Sequence, residues 1–429
     1  MNDEQQSFVV RVTRYGLPVV VGIFYLTASL GFSFTSDSTF RLLDVVRTAG
    51  DRSIFPSPLW QFFLLVGGKF GLDLLLVSKV LSLLFSCAAI LLVYLLANEI
   101  LRDRLIAFCV SLAFGMEGWM LQLAPSGSAL SLAVVLILAG LFFMLRNEYV
   151  VAPFMVGLCA LVAWQAVFLL IPLCCDIWIN SVNKRRAVKV AVSTCLLFCS
   201  SLLPLVLYEW STGRWNLPVL LQVAEFPGFS LSMLTGLALL SLLGIAGFVI
   251  GARFGEGATM RTNGGVIGFV IVAVLMAPLY DIQIWIAALP LVLVYAYVGL
   301  SELLKWVDKS RLLYSLSFVL TGLLVVHLQS EYQRTNRRAM VTTVAQNAEL
   351  RILSEWVREN AAGTSSVCAE HPGIVGYYAG RQVSPLADHG EPSCDFLVTS
   401  RKNLQGYRTA FKPPAIPEDI QSFAVWRRE

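Results

Sequence analysis

The sequence predicts an all-α polytopic membrane protein that ends in a small soluble α/β domain. Of its 429 residues, 57% are hydrophobic and only 14% are charged, and the mean hydropathy is +0.71. A water-soluble core could not absorb so much apolar surface. The apolar runs reach about 20 residues, the length of a membrane-spanning helix, and they do not alternate as outer-membrane strands do. We therefore expect the spans to be helices.

Hydropathy divides the predicted transmembrane domain, residues 1–329, into about eleven spans. They are 15–34, 73–98, 105–122, 128–145, 150–164, 166–180, 188–209, 230–252, 264–280, 283–301 and 311–328. The stretch 149–180 is divided near Trp164 and Gln165, because one helix of roughly 30 residues would measure about 45 Å against a hydrocarbon core of about 30 Å. The first span follows a polar segment without a small-residue cleavage site, so we expect it to be retained.

The basic residues between the spans support this division, since with it they all fall on one face. They are Arg102, Arg104, Arg146, Lys184, Arg185, Arg186, Arg253, Arg261, Lys305, Lys309 and Arg311. By the positive-inside rule this face is cytoplasmic. The N-terminus then lies in the cytoplasm, and the loops 35–72 and 210–229 and everything after Gln329 lie outside. The compact loops favour a multi-pass protein of a bacterial inner membrane. The net charge of +4 gives no support for nucleic-acid binding.

Residues 330–429 form the predicted extracytoplasmic α/β domain. Apolar residues recur at helical spacing within 331–360, and strand-like runs follow at 366–369, 382–386, 396–399 and 423–426. Cys368 and Cys394 are the only cysteines of this domain. Outside the cytoplasm a disulfide between them would close a loop of about 25 residues and stabilise the fold by on the order of 3 kcal/mol. We expect the other seven cysteines to be apolar filler, and we expect no metal site, because neither they nor the three histidines have ligand spacing.

The polar segment from Thr35 to Trp60 is the most unusual part of the membrane domain. It carries several aspartates and arginines, and its amphipathic part is typical of a helix lying along the membrane surface. On the residues alone, Asp37 is either a helix-start acid that binds free backbone N–H groups or a general base at the lipid interface.

Several short motifs follow one another along the chain. An aspartate follows the first span, a glycine comes thirteen residues later, and Pro-Leu-aromatic leads into the second span. The residues concerned are Asp37, Gly50, Pro58, Leu59 and Trp60, together with Tyr208 to Arg214, Leu289 to Leu291 and Gly373 to Arg381. Their order resembles that of GT-C membrane glycosyltransferases, most closely the protein O-mannosyltransferase and aminoarabinose-transferase branch, and the likeness covers most of the chain.

This resemblance implies inverting transfer of a sugar from a polyprenyl-phosphate donor to a lipid, glycan or protein acceptor at the outer face. By position, Asp37 matches the catalytic acid of the family. The departing phosphate needs cations or a divalent metal ion, whose identity the sequence leaves unknown. The cations on the outer face are Arg41, Arg47, Arg52, Lys69 and Arg214. Each of them is alternatively an ordinary interfacial side chain that reaches toward water.

The sequence departs from the family at three places. Ser38 stands where an acidic pair is often completed, and an arginine often found near the tenth span is missing from 281–285. The next outer loop, 123–128, contains no acid, and the nearest candidate is Glu117 inside the third span. An acid in a span is a functional candidate by default, and Glu117 is either catalytic or a polar contact to a cavity or a neighbouring helix.

Three functions remain open on the sequence. The first is the glycosyltransferase, and the second is a catalytically inactive GT-C-like scaffold or subunit of a larger membrane complex, which the three departures favour. The third is a transporter of lipid-linked sugars. The scarcity of charges inside the spans argues against the third.

Overall fold

The structure, a computed structural model, describes seven continuous stretches and a few separate residues. The stretches are 57–162, 164–180, 184–212, 345–386, 394–401, 406–413 and 423–428, and the separate residues are 16, 19, 21–23, 25, 39, 40, 43, 290, 291, 293, 294, 319, 322 and 404. The predicted spans 230–252 and 264–280 lie wholly outside these residues. Most of the spans 15–34, 283–301 and 311–328 lie outside them too.

Between residues 57 and 212 the described chain forms eight α-helices and one 3₁₀ helix. They are α1 (Pro58–Lys69), α2 (Leu74–Leu101), α3 (Arg104–Gly115), α4 (Gly118–Ser126), α5 (Leu130–Leu145), α6 (Val151–Ala160), the 3₁₀ helix (Trp164–Leu169), α7 (Leu170–Asn180) and α8 (Lys184–Thr212). Within the described chain, α2 is the one helix that is long and apolar enough to cross a membrane by itself. It packs against α3, α4 and α5.

The structure departs from the predicted spans in two places. The single helix predicted for 105–122 is wrong, because the chain breaks at Met116 and Glu117 between α3 and α4. The predicted loop 35–72 contains a helix, α1, that the sequence analysis did not anticipate. Pro58 at its first turn has no backbone N–H to lose, which suits a helix start.

Positions along helix α2 give the distances between groups at the two ends of the helical domain. It begins after Asp73, whose side chain accepts a hydrogen bond from Leu75 N at 2.9 Å. Gly115 touches α2 at Ile90, since a Cβ on that glycine would lie 3.1 Å from Ile90 Cδ1. Because a helix rises 1.5 Å per residue, this contact lies about 25 Å along α2 from Asp73. We call the two ends of the domain the Asp73 end and the Leu101 end.

The chain turns back between α6 and α7, as predicted near Trp164 and Gln165. The Tyr149 hydroxyl, just before α6, lies 2.9 Å from Asp176 Oδ2 in α7. A single helix across 150–180 would hold these two groups at opposite ends. At the Leu101 end Arg146 also lies 3.8 Å from Glu99. Arg102, Arg146 and the start of α8 therefore share one face, as the basic residues predicted.

Hydroxyl groups bind the backbone carbonyls that the irregular segments release. Ser78 and Ser82, one turn apart on α2, donate to Gly127 O at 2.6 Å and to Leu123 O at 2.8 Å. Tyr25 donates to Gly115 O at the end of α3, at 2.6 Å. Ser57 donates to Val162 O in the turn after α6, at 3.0 Å. In lipid no water would bind these groups, so the protein supplies the partners itself.

The C-terminal residues form an α/β unit around a five-stranded sheet. Its elements are α9 (345–360), β1 (Val367–Ala369), α10 (Pro372–Ala379), β2 (Ser384–Pro385), β3 (Phe396–Thr399), β4 (Tyr407–Phe411) and β5 (Ala424–Arg428). The strand order is β2-β1-β3-β5-β4, with β2, β1 and β3 parallel and the other two pairs antiparallel. Helix α9 and four of the strands match predicted elements, while α10 and β4 were not predicted. Leu350, Leu353 and Val357 are buried, as their spacing predicted.

A buried carboxylate joins α9 to the sheet. Glu349 Oε1 accepts a hydrogen bond from Phe423 N at 2.7 Å, while its other oxygen has no partner among the described residues. Burial raises the pKa of Glu349, and the hydrogen bond from Phe423 and the charge of Lys412 oppose that rise. The fold therefore favours the protonated acid. Its contribution to stability is full below the ordinary pKa of about 4.3 and is lost as the pH rises through the raised value.

We expect Glu349→Gln to raise the unfolding temperature at pH 7 to 8 and to change it little near pH 4. The amide keeps an acceptor for Phe423 N but removes the buried charge. The measurement is thermal unfolding across pH in detergent, with the exposed residue of the same helix, Glu359→Gln, as the control. An equal rise in the unfolding temperature at both pH values would show that the buried charge of Glu349 is not the cause.

Candidate functional site

The C-terminal domain docks on the helical domain at the Asp73 end. The Tyr377 hydroxyl lies 3.4 Å from Asp73 Oδ1. The Phe40 ring, from the predicted outer loop, lies 5.4 Å from the ring of Tyr377 and 5.5 Å from that of Tyr378, between centroids. Phe40 and the start of α2 therefore lie on the same side of the helical domain as the C-terminal domain.

The glycine-rich tail motif from Gly373 to Arg381 builds this junction. It forms α10, which ends where Gly380 adopts a left-handed conformation with φ of 67°. Glycine adopts this conformation without steric strain because it has no Cβ atom. Arg381 then donates to Ala362 O at 3.0 Å and to Ala361 O at 2.9 Å, just beyond the end of α9. The motif thus fixes α10 against α9 and presents the two tyrosines to the helical domain.

The structure describes two of the seven residues predicted for catalysis and phosphate binding. Lys69 is exposed in the last turn of α1, beside the start of α2. Glu117 is described as well. The others lie outside the described residues; they are Asp37, Arg41, Arg47, Arg52 and Arg214.

Glu117 is buried at the break between α3 and α4. Its neighbour Gly115 is the residue that contacts Ile90, about 25 Å along α2 from Asp73. Its carboxylate is within electrostatic range of Tyr25, the residue that binds the Gly115 carbonyl. The structure thus separates Glu117 in depth from Asp73 and from the docked domain.

Asp73 and Lys79 are two charged residues at the Asp73 end that the sequence did not single out as site candidates. Lys79 is half-buried in the second turn of α2, within electrostatic range of Asp73. A lysine near the start of a long apolar helix, preceded by an aspartate at the N-cap, was the signal available. No carboxylate among the described residues lies within salt-bridge distance of Lys79.

The Cys368 and Cys394 sulfurs are bonded, with the Cα atoms 5.9 Å apart and a separation of 26 positions in sequence. The disulfide joins β1 to a residue two positions before β3 and closes the segment that holds α10. Tyr407 donates to Cys394 O at 2.7 Å and packs on the bond. The other seven cysteines are free thiols. In the described part of the chain, no three His, Cys, Asp or Glu side chains form a group that could hold a metal ion.

Comparison with solved structures shows which fold this arrangement belongs to. The chain is similar to ArnT from Cupriavidus metallidurans bound to undecaprenyl phosphate, with a TM-score of 0.55 and 12% identity over 90% of this chain and 86% of ArnT. Against the apo state of ArnT the TM-score is 0.53, with 13% identity over 90% of this chain and 87% of that one. No protein-family model and no curated protein matches the sequence.

The chain therefore has the GT-C-like fold of a polytopic membrane protein, and the resemblance seen in the sequence is confirmed at the level of the fold. The likeness extends over nine-tenths of the chain, through both the helical and the C-terminal parts. At this identity the likeness shows the fold alone.

We expect the double change Cys368→Ala, Cys394→Ala to lower the stability of the C-terminal domain by about 3 kcal/mol, because it frees a loop of 26 residues in the unfolded chain. The measurement is denaturant unfolding, with addition of a reductant to the unchanged protein as a second route to the same loss. The change Cys159→Ala is the control for removing a thiol. Equal stability with and without reductant would contradict the prediction.

Proposed function

We propose that the protein transfers a sugar from a polyprenyl-phosphate donor to an acceptor at the Asp73 end of the helical domain. The observation that carries this proposal is the fold likeness to ArnT over 90% of the chain, because the ArnT structure holds undecaprenyl phosphate. The proposed location is a bacterial inner membrane. There the Leu101 end faces the cytoplasm, and the Asp73 end and the C-terminal domain face outward.

Asp37 is the proposed general base. An acceptor hydroxyl or amine attacks the anomeric carbon, and its proton passes to the Asp37 carboxylate. The bond from the anomeric carbon to the phosphate oxygen breaks on the opposite face, so the configuration inverts and polyprenyl phosphate leaves. Asp37 precedes Phe40 by three residues, and three residues reach at most about 11 Å. This closeness in sequence to Phe40, which meets the C-terminal domain, supports the choice of Asp37.

Cations at the same end are proposed to bind the departing phosphate. The sequence candidates Arg41, Arg47, Arg52, Lys69 and Arg214 remain proposals, and to them we add Lys79. Lys79 is half-buried, and a partly desolvated ammonium binds phosphate more strongly than an exposed one. Its place near the start of α2 matches the depth of a phosphate whose lipid chain extends into the bilayer.

Glu117 is assigned a structural role in this proposal. It lies about 25 Å along α2 from Asp73, too far for one carboxylate to share a reacting sugar with groups at that end. A buried acid at a helix break suits the polar contact that the sequence left open. The proposed site thus has one catalytic acid, Asp37.

The inactive scaffold is the second candidate, and Ser38 favours it. An inactive scaffold does not require a general base at position 37, whereas the proposed transferase does. The proposal therefore depends on whether the Asp37 carboxylate is required.

We expect Asp37→Asn to lower the transfer rate by at least about 100-fold, the usual contribution of a general base. The measurement compares lipid-linked sugars and envelope glycans by mass spectrometry in a deletion strain that carries each variant. Asp44→Asn is the matched control, because it removes the same negative charge from the same loop. It should restore the wild-type products. Wild-type product levels with Asp37→Asn would exclude Asp37 as the general base, and a deletion strain with unchanged products would contradict the transferase assignment.

We expect Lys79→Met to weaken binding of undecaprenyl phosphate about tenfold, because one charge-assisted contact to phosphate is lost. Binding is measured by titration of the purified protein in detergent. Lys189→Met, at an exposed position of α8, removes the same charge near the Leu101 end and should leave the affinity unchanged. Equal affinities for the two variants would remove Lys79 from the site.

A further inference from the structure

The junction between the two domains is built from three aromatic rings and the charges around them. Phe40 is only 3% exposed, and it meets two tyrosines that follow it by more than three hundred residues. The Tyr377 and Tyr378 rings lie 5.2 Å apart and nearly perpendicular, at 81°. Such edge-to-face contacts hold aromatic rings in defined orientations. The cluster therefore fixes the relative orientation of the three rings and also buries apolar surface.

Tyr377 links the first loop to the start of α2. Its ring packs on Phe40, and its hydroxyl reaches Asp73 Oδ1 at 3.4 Å. Asp73 in turn holds the first turn of α2 through Leu75 N, at 2.9 Å. One side chain of the C-terminal domain thus sets the distance between two parts of the helical domain.

Tyr378 links the same loop to α9. Its ring packs on Phe40 from one side, and the Arg351 guanidinium lies 5.5 Å from its centroid. Glu355 accepts from Arg351 Nε at 3.0 Å and orients it. The first loop, α2, α9 and α10 therefore meet at two adjacent side chains.

We propose that the Tyr377–Tyr378 pair is a positioning element that holds Phe40 near the start of α2 and that transfer depends on this contact. This role rests on the proposed function, because it concerns the base of that reaction. Phe40 follows Asp37 by only three residues in sequence and its backbone is helical, so a shift of Phe40 shifts the point from which the chain reaches Asp37. A displacement of about 1 Å at a reacting group can cost on the order of 100-fold in rate.

Tyr377→Leu should therefore lower kcat about tenfold or more, with the KM for the donor changed by less than about threefold. Tyr377→Phe keeps the ring and loses only the Asp73 contact, so most of the rate should be rescued. Trp356→Leu is the matched control: Trp356 stacks on Phe411 inside the C-terminal domain, with centroids 5.5 Å apart. It should destabilise the domain and leave kcat unchanged.

Cross-linking tests the contact without any transfer activity. In a variant with Phe40→Cys and Tyr378→Cys, a bifunctional thiol reagent long enough to span two packed aromatic side chains should cross-link the two cysteines, whereas Phe40→Cys with Arg358→Cys, an exposed position of α9, should not be cross-linked. A junction pair that fails to cross-link overturns the positioning role whatever the enzyme does.

The kinetic outcomes separate the two proposals. If the pair cross-links and the wild type transfers sugar, unchanged kcat in Tyr377→Leu overturns the positioning role and leaves the proposed function standing. If the pair cross-links and the wild type transfers nothing, the proposed function fails, and the positioning role fails with it. A fall in kcat with rescue by Tyr377→Phe supports both.

Discussion

The helical domain depends on one constraint, which is that a backbone in lipid must find its hydrogen-bond partners inside the protein. Several described interruptions of helices obey it with a hydroxyl, while the Asp73 and Asp103 carboxylates bind free N–H groups at the starts of α2 and α3. Tyr25 binds the last carbonyl of α3, Ser82 binds Leu123 O in α4, Ser78 binds Gly127 O beyond α4, and Ser57 binds Val162 O after α6. These four hydroxyls supply partners for carbonyls in or beside α3, α4 and α6, where the chain leaves one helix for the next.

Hydroxyl contacts of this kind occur both near Asp73 and far from it. Ser78 and Ser82 bind carbonyls near the start of α2, and Tyr25 binds the Gly115 carbonyl beside the buried Glu117. At the Asp73 end, Lys79 lies within electrostatic range of Asp73, and the Tyr377 hydroxyl lies 3.4 Å from the Asp73 carboxylate. Charge is less costly near the interface than at the bilayer centre, which supports the proposal that the phosphate is released at this end.

The sequence was informative where one local signal decided the structure. Length alone predicted α2, and length with charge predicted the turn near Trp164. Strand β3 was predicted residue for residue, since Phe396 to Thr399 is apolar and bounded by polar residues. Helix α10 was missed because it has only eight residues, most of them buried, and therefore shows little periodicity. The break at Glu117 was missed for a different reason, because the acid and the flanking glycines Gly115 and Gly118 interrupt the run only briefly and its overall length still suited one span.

The candidate site was predictable only in part, because its parts meet through tertiary contacts. The sequence singled out the loop around Asp37 and the tail motif separately, but nothing in either one indicates that Phe40 packs on Tyr377. The contact also explains the charges at this end. Asp73 accepts from Leu75 N and lies beside the Tyr377 hydroxyl, so neutral donors bind its carboxylate while no described carboxylate forms an ion pair with Lys79. Asp73 keeps its negative charge and attracts Lys79 over a distance longer than that of a salt bridge. The docking of the C-terminal domain therefore does more than cover apolar rings, because the tyrosine that packs on Phe40 also brings its hydroxyl to Asp73, near the lysine proposed to bind phosphate.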